Sequence, residues 1–107
     1  MDRVESEDRA PLAVEVQHEP NGPVLRLTGE LDLSSIGVLQ EALDPLLEGK
    51  PPRLVFDLGA LRFMDSSGLA EVLRTATATS VELRNPSKIV RRVIELTGVS
   101  GILPIQP

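Results

Sequence analysis

The amino-acid sequence predicts a single α/β domain built on a mixed β-sheet of about four to five strands. Strand-like and helix-like segments follow one another in the order β-β-α-β-α-β-α, with room for a final short strand. Strands that alternate with helices are typical of a sheet with helices packed on it. A length of 107 residues, with 41% hydrophobic and 25% charged residues, is ordinary for one soluble domain.

The first strands are predicted to form a hairpin after a charged N-terminal segment. Residues 1–11 lack apolar periodicity, which predicts a flexible tail before a single domain over residues 12–107. Leu12 to His18 alternates apolar and polar residues, as in a half-buried strand. Asn21-Gly22, between two prolines, predicts a tight turn with positive φ angles. Val24 to Leu31 then forms the second strand.

The first helix is predicted to begin at Ser34 or Ser35, because serine hydroxyls can cap a helix N-terminus. Its apolar residues have the spacing of one buried helix face, namely Ile36, Leu39, Leu43 and Leu46 or Leu47. Pro45 lies within this pattern and removes one backbone hydrogen bond. We therefore expect a kink or an early stop near Leu43.

The rest of the chain is organised around the stretch LVFDLGALRFMDSSGLAEVL, from Leu54 to Leu73. Its apolar start predicts a buried central strand over Arg53–Leu58, followed by a short loop. A helix is predicted from Ser67 to about Thr77, because apolar residues recur at i, i+3, i+4 and i+7, namely Leu69, Val72, Leu73 and Ala76.

The segment 65–68, Asp-Ser-Ser-Gly, places a carboxylate and two hydroxyls at the positive end of this helix. Most clusters of this kind are helix caps. Phe63 and Met64, just before the turn, are expected to anchor it on the core. Gly68 lowers helix propensity, a cost that is accepted where a backbone must be approached closely. A simple cap and a functional turn are both open at this point.

A short strand and one more helix are predicted to follow. Val81 to Arg84 predicts the strand, and Asn85-Pro86 predicts a helix start with proline at the first helical position. Gly98 is expected to end this helix, and residues 102–105 form at most an edge strand. The helix is predicted to bury an apolar face formed by Ile89, Val93 and Leu96, which Val90 and Ile94 widen. Its other face is predicted to be exposed and carries Lys88, Arg91, Arg92 and Glu95.

Composition argues against several function classes. The chain has no cysteine, which removes disulfides, thiol nucleophiles and cysteine zinc sites. Its net charge of −5 and its lack of Trp and Tyr argue against a nucleic-acid partner. No apolar run approaches the roughly 18 residues that span a bilayer, and the acidic N-terminus has no signal-peptide pattern. We therefore expect a cytoplasmic protein without membrane insertion.

An enzyme is not expected. A serine nucleophile needs a base within hydrogen-bond reach, and the single histidine, His18, lies at the far end of the first strand. Asp57 and Asp65 could suggest acid–base chemistry or a metal, but no third acidic ligand has a recognisable spacing. No glycine-rich phosphate loop with its lysine is present. No cofactor or metal is therefore expected.

Three blocks of the sequence resemble the STAS-domain anti-sigma factor antagonists, also called anti-anti-sigma factors. In chain order, which is also the order in the family, the blocks are LTGELD from Leu27 to Asp32, FDLGALRFMDSSGLAEVL from Phe56 to Leu73, and KIVRRVIELTGV from Lys88 to Val99. The resemblance as a whole covers about residues 12 to 105. The resemblance implies the STAS fold, with helices packed mainly on one side of the sheet. The segment between Leu73 and Asn85 is shorter than in typical members.

In that family the first serine of the turn is phosphorylated by a partner kinase. The resemblance implies that Ser66 is the phosphoacceptor and that the partner-binding residues are Asp32, Asp65, Ser67, Gly68 and Leu69. It implies a protein that binds an anti-sigma factor serine kinase when unphosphorylated and so frees a sigma factor. The alternative is an unphosphorylated STAS scaffold subunit of a stressosome-like assembly or of a lipid-transport ATPase complex. The oligomeric state stays open.

Overall fold

The computed structural model describes residues 12–98 and 105–106, which form five strands and three helices. The elements in chain order are β1 (Leu12–Glu19), β2 (Gly22–Leu31), α1 (Ile36–Glu48), β3 (Arg53–Met64), α2 (Ser66–Ala76), β4 (Ser80–Arg84), α3 (Lys88–Leu96) and β5 (Ile105–Gln106). The predicted mixed sheet is therefore confirmed. The predicted tail over residues 1–11 lies outside the described residues, and the single domain over 12–107 stays a prediction.

The strands lie in the order β1-β2-β3-β4-β5. β1 and β2 form an antiparallel hairpin in which Glu19 pairs with Gly22, and every later pair is parallel. Pro20 and Asn21 make the two-residue turn, and Gly22 follows with a φ of 133°. A Cβ at Gly22 would lie 2.1 Å from the carbonyl oxygen of Arg53. Glycine is therefore required where the turn meets the start of β3.

The helices pack mainly on one face of the sheet, as the resemblance implies. Consecutive parallel strands joined by right-handed crossovers place their helices on the same side. Side chains from all three helices join one core cluster with the strand residues Leu25, Leu27, Leu54, Phe56 and Leu58. Because side chains alternate along a strand, Val55 lies on the opposite face. No helix in the described part of the chain is long and apolar enough to cross a membrane.

β3 runs on to Met64, so the loop predicted after Leu58 is wrong. Two register shifts against β2 each place one extra residue in β3, within 57–60 and within 61–63. Such bulges bend a strand and change which side chains face the core. As a result Leu58, Leu61 and Met64 all reach the core, although they are spaced by three residues.

α1 follows Ser35 and continues to Glu48, so it does not stop early near Leu43. Pro45 lies on the exposed side of the helix. The carbonyl group that loses its helical partner there can bond water instead. The core-facing residues agree with the prediction in part. Leu39 and Leu43 are buried and Leu46 and Leu47 pack at the edge of the core, whereas Ile36 is only half-buried.

α3 begins later than predicted. Ser87 is its N-cap, and the Ser87 hydroxyl oxygen accepts a hydrogen bond from the Val90 N–H at 3.2 Å. Asn85, with a φ of 60°, turns the chain out of β4 before the helix starts. The predicted helix start at Asn85-Pro86 is therefore wrong. Gly98 follows the last helical turn with a φ of 77°, which confirms the predicted end.

The predicted buried face of α3 is wrong in part. Val90 and Ile94 are fully buried, whereas Ile89 is 60% exposed and Leu96 is 79% exposed. Val93 is half-buried at the boundary between the two sides. The helix carries apolar residues on two adjoining sides, and packing against the sheet selects one of them.

Replacing Gly22 and Gly37 by alanine should change stability in opposite directions. At Gly22 the new Cβ overlaps the Arg53 carbonyl and the φ is strained, so the free energy of unfolding should fall by about 2 kcal/mol or more. At Gly37 no neighbouring atom lies within 4 Å of the Cβ position. Helix propensity should there raise the free energy of unfolding by about 0.5–1 kcal/mol. Urea denaturation measures both, and an unchanged Gly22→Ala protein would contradict the close approach.

Candidate functional site

The serine turn lies at the edge of the sheet where β2 and β3 end together. Leu31 and Met64 are paired as the last residues of these parallel strands. The Asp65 N–H donates a hydrogen bond to the Leu31 carbonyl oxygen at 3.1 Å. Asp32 follows Leu31 directly, so the two loops leave the sheet side by side. The fold thus brings both predicted acidic residues to the edge where Ser66 begins α2.

Asp65, and not a serine, caps α2. Its Oδ1 accepts a hydrogen bond from the Gly68 N–H at 3.0 Å, and its carbonyl oxygen accepts one from the Leu69 N–H at 3.1 Å. Ser66 is the first residue of the helix and is exposed. Among the described residues, the hydroxyls of Ser66 and Ser67 have no hydrogen-bond partner. The capping interpretation therefore does not account for the Ser66 hydroxyl.

Gly68 and Leu69 are buried and hold the turn against the core. A Cβ on Gly68 would lie 2.6 Å from Cγ of Leu31, so a larger residue would push α2 away from the end of β2. Leu69 is only 4% exposed and belongs to the core cluster. Their burial leaves the accessible part of the predicted partner surface to Asp32, Asp65, Ser66 and Ser67.

Asp32 is held by the loop that precedes α1. Its Oδ1 accepts hydrogen bonds from the Ser34 hydroxyl at 2.7 Å, the Ser34 N–H at 3.0 Å and the Ser35 N–H at 3.2 Å. These bonds, above all that from the Ser34 hydroxyl, hold the pKa of the Asp32 carboxyl below its usual value. Asp32 therefore presents a fixed negative charge at neutral pH.

Ser34 and Ser35 are the two predicted caps of α1, and Ser35 occupies the N-cap position. Its hydroxyl nevertheless makes no capping hydrogen bond. The hydroxyl instead donates to the Glu30 carbonyl oxygen at 2.9 Å, and its oxygen accepts the Asp32 N–H at 3.0 Å. Ser35 is buried. It therefore braces the loop that carries Asp32.

Two exposed apolar side chains adjoin these loops. Leu33, next to Asp32, is 73% exposed, and Phe63, two residues before Asp65, is 42% exposed. Met64 is buried and anchors the turn as predicted, but Phe63 does not, because the second bulge of β3 alters the alternation there. Apolar groups beside fixed charges are typical of surfaces that bind proteins.

Sequence reasoning missed a buried carboxylate behind the turn. Glu71 is 4% exposed and accepts hydrogen bonds from Gln40 Nε2 of α1 and from Arg74 Nε, both at 3.2 Å. A terminal guanidinium nitrogen of Arg74 bonds the second carboxylate oxygen, and the hydrogen bond to Glu71 raises the pKa of Arg74. The i, i+3 spacing of Glu71 and Arg74 indicates an ion pair. Nothing in the sequence shows that it faces α1.

The other candidate catalytic groups lie away from the serine turn. His18 pairs with Pro23 at the hairpin end of the sheet, opposite the edge where Ser66 lies. Asp57 lies within β3, where its Oδ1 accepts a hydrogen bond from the Gly59 N–H at 3.0 Å. Over residues 12–98 and 105–106, no three His, Asp or Glu side chains are grouped so that they could hold a metal ion.

Comparison with known proteins agrees with the three sequence blocks. A protein-family model described as "Mlab, STAS domain" matches residues 14–104. The anti-sigma-B factor antagonist of Bacillus subtilis (strain 168) is 33% identical over 98 residues, which cover 86% of this chain and 88% of that protein. The similarity therefore spans nearly the whole chain.

Solved structures share the fold. An anti-sigma factor antagonist from Mycobacterium paratuberculosis has a TM-score of 0.85 and 27% identity, covering 92% of this chain and 88% of that chain. The Bacillus cell fate determinant SpoIIAA in its phosphorylated form has a TM-score of 0.65 and 27% identity, covering 87% and 90%. The predicted fold class is confirmed by these likenesses.

Replacing Asp65 and Ser66 by alanine should separate the cap from the exposed hydroxyl. Asp65→Ala removes the acceptor for the Gly68 N–H and should lower the free energy of unfolding by about 1 kcal/mol. Ser66→Ala should change it by less than about 0.5 kcal/mol. Asp65→Asn is the control, because asparagine caps equally well. Urea denaturation tests the assignment, and a larger loss for Ser66→Ala than for Asp65→Ala would contradict it.

Proposed function

The chain belongs to the STAS domain family, and on that premise we propose that it is an anti-sigma factor antagonist controlled by phosphorylation of Ser66. The unphosphorylated form binds an anti-sigma factor serine kinase and thereby frees a sigma factor. Phosphorylation of Ser66 releases the kinase. The observation that carries this proposal is the exposed Ser66 hydroxyl at the first position of α2, with capping left to Asp65.

Ser66 is placed where a phosphate can be added without unfolding the chain. The residue is exposed, and within the described part of the chain its hydroxyl has no hydrogen bond to lose. A phosphate at the start of a helix meets the positive end of the helix dipole. Modification is therefore expected to change what the surface binds and to leave the fold intact.

The phosphate would add to a surface that is already negative. Phosphorylation brings about −1.5 to −2 charges, beside the ionised Asp32 and close to Asp65. A partner docked over this edge would also cover Leu33, which is 73% exposed. When a partner covers the apolar surface, water is also removed from the adjoining charged groups. The free-energy cost of removing water from a phosphate is high unless the partner supplies cations. We expect this cost to release the partner.

Names of similar proteins support the regulatory class. Both the Bacillus subtilis relative and the Mycobacterium paratuberculosis structure are described as anti-sigma factor antagonists. The SpoIIAA structure is that of a phosphorylated form. The resemblance of the serine turn assigns the modification to Ser66, and the exposure of this residue in the structure supports the proposal.

A second candidate function is that of a scaffold subunit without phosphorylation, in a stressosome-like assembly or a lipid-transport ATPase complex. The observation that favours it is the description of the matching family model as Mlab and not as an antagonist. In that function Ser66 would be a contact residue. Ser66→Ala would then leave regulation unchanged, whereas in the phosphoswitch it would prevent release.

The variants Ser66→Asp and Ser66→Ala should bind a purified anti-sigma factor kinase of the source organism differently. Ser66→Asp places a negative charge where the phosphate would lie, so its dissociation constant should rise at least about tenfold. Ser66→Ala keeps the neutral surface and should bind within about threefold of wild type. Isothermal titration calorimetry without ATP measures these constants. After ATP is added, wild type should be released and Ser66→Ala should stay bound.

Ala78→Asp is the matched control for this experiment. Ala78 is exposed beyond the far end of α2, so the variant adds the same charge away from the serine turn. It should bind as wild type does. If Ser66→Asp bound the kinase as tightly as wild type, the phosphoswitch would be wrong and the scaffold function would be favoured.

A further inference from the structure

α3 carries an apolar strip that the core does not use. Val90 and Ile94 fill the core, whereas Ile89 is 60% exposed and Leu96 is 79% exposed. Ile89 and Leu96 are seven residues apart, so they lie on one side of the helix about 10.5 Å from each other. Val93, which is half-buried, lies beside them. The strip is continuous over the whole helix.

Two cations border this strip. Lys88 and Arg92 are exposed and lie one turn apart on the outer side of α3, next to Ile89. Within residues 12–98, neither makes an ion pair. Glu95 is exposed on the same side, three residues after Arg92, so the two cations and this carboxylate leave a net positive charge there. We call this surface the basic face of α3, and its residues are Lys88, Ile89, Arg92, Val93 and Leu96.

α1 carries the opposite charge on its outer side. Glu41, Asp44 and Glu48 are exposed and follow the spacing i, i+3, i+7 of one helix face. The helix contains no Lys or Arg to neutralise them. These three carboxylates therefore form a stripe of negative charge along α1, although Arg74 of α2 lies close enough to Asp44 for their charges to interact.

Apolar groups accompany the acidic stripe, as they accompany the cations of α3. Val38 is 43% exposed, and Pro45 is exposed beside Glu41. Val38 and Pro45 are seven residues apart, the same spacing that separates Ile89 from Leu96. We call this surface the acidic face of α1, and its residues are Val38, Glu41, Asp44, Pro45 and Glu48.

We propose that the acidic face of α1 in one copy of this chain docks on the basic face of α3 in the next. Within one molecule α1 packs against β1 and α3 packs against β3, so the two helices lie on different parts of the sheet. A second copy supplies the complementary face in charge and in apolar spacing. The contact uses neither Ser66 nor its turn, and it does not depend on the proposed phosphoswitch.

A contact between two different faces of the same chain is heterologous. Each copy keeps one free face of each kind, so association continues head to tail and ends in a ring or a filament. Exposed charges contribute strongly at low ionic strength and are screened by salt. The assembly should therefore grow with protein concentration and weaken as salt is added.

A charge-swap experiment by sedimentation velocity tests the proposal. The first variant combines Lys88→Glu with Arg92→Glu, and the second combines Glu41→Lys with Glu48→Lys. Each variant alone presents like charges on both faces, so its association constant should fall at least about tenfold at low salt. An equal mixture of the two should associate again, because each altered face then meets an opposite charge. The chain with all four changes should associate within about threefold of wild type.

A control separates this contact from an effect of net charge. Lys50→Glu, Gln17→Glu and Ala78→Glu together lower the net charge as much as the first variant does, at exposed positions outside both faces. This triple variant should associate as wild type does. Recovery of association in the mixture also rules out misfolding of the two face variants.

Three results would overturn the proposal. Wild type could remain monomeric at every concentration in low salt, or the face variants could associate as strongly as wild type. The mixture could also fail to associate although both variants are folded by circular dichroism. Monomeric wild type that sediments with phosphatidylglycerol vesicles, and loses this property with Lys88→Glu and Arg92→Glu, would assign the basic face of α3 to an anionic membrane surface instead.

Discussion

The arrangement of the site depends on the parallel pairing of the last residues of β2 and β3. Leu31 and Met64 enter the core side by side, and the Asp65 N–H bonds the Leu31 carbonyl oxygen. Any side chain at position 68 would overlap Leu31. α2 can begin at this edge because residue 68 is glycine. The same packing aims the Asp65 carboxylate at the first turn of α2. The cap is thus supplied by Asp65, and the Ser66 hydroxyl is left exposed.

α1 connects this site with the rest of the surface. It begins after the loop that holds Asp32 in its ionised form, and Gln40 in its second turn bonds the buried Glu71 of α2. Its outer side carries the acidic face that we propose for contact with a second copy. The proposed partner site therefore lies in the loop before α1 and at the start of α2, whereas the proposed assembly uses the outer sides of α1 and α3. The two processes can be altered separately by substitution.

Apolar periodicity in the sequence predicted the element order, the hairpin and the helix after the serine turn, and the resemblance supplied the fold family. Apolar periodicity gave wrong predictions where tertiary packing overrides a local pattern. The bulges of β3 give its core residues a three-residue spacing, which differs from the two-residue alternation of a regular strand. The sequence of α3 offers two apolar sides, and only packing against the sheet decides which one is buried. At the site, Asp65, Ser66 and Ser67 are all good capping types, so only the structure separates the cap from the free hydroxyl. Glu71 was missed because its partner Gln40 is distant in sequence.

The central claim is that the exposed hydroxyl of Ser66 receives a phosphate. The most direct measurement is mass spectrometry of the purified chain after incubation with ATP and an anti-sigma factor kinase that binds it, with fragmentation to locate any modification. The account predicts one added phosphate on Ser66 and none on the Ser66→Ala chain. A phosphate on Ser67 or Ser34 in place of Ser66, or an unmodified chain in the presence of the bound kinase, would contradict it.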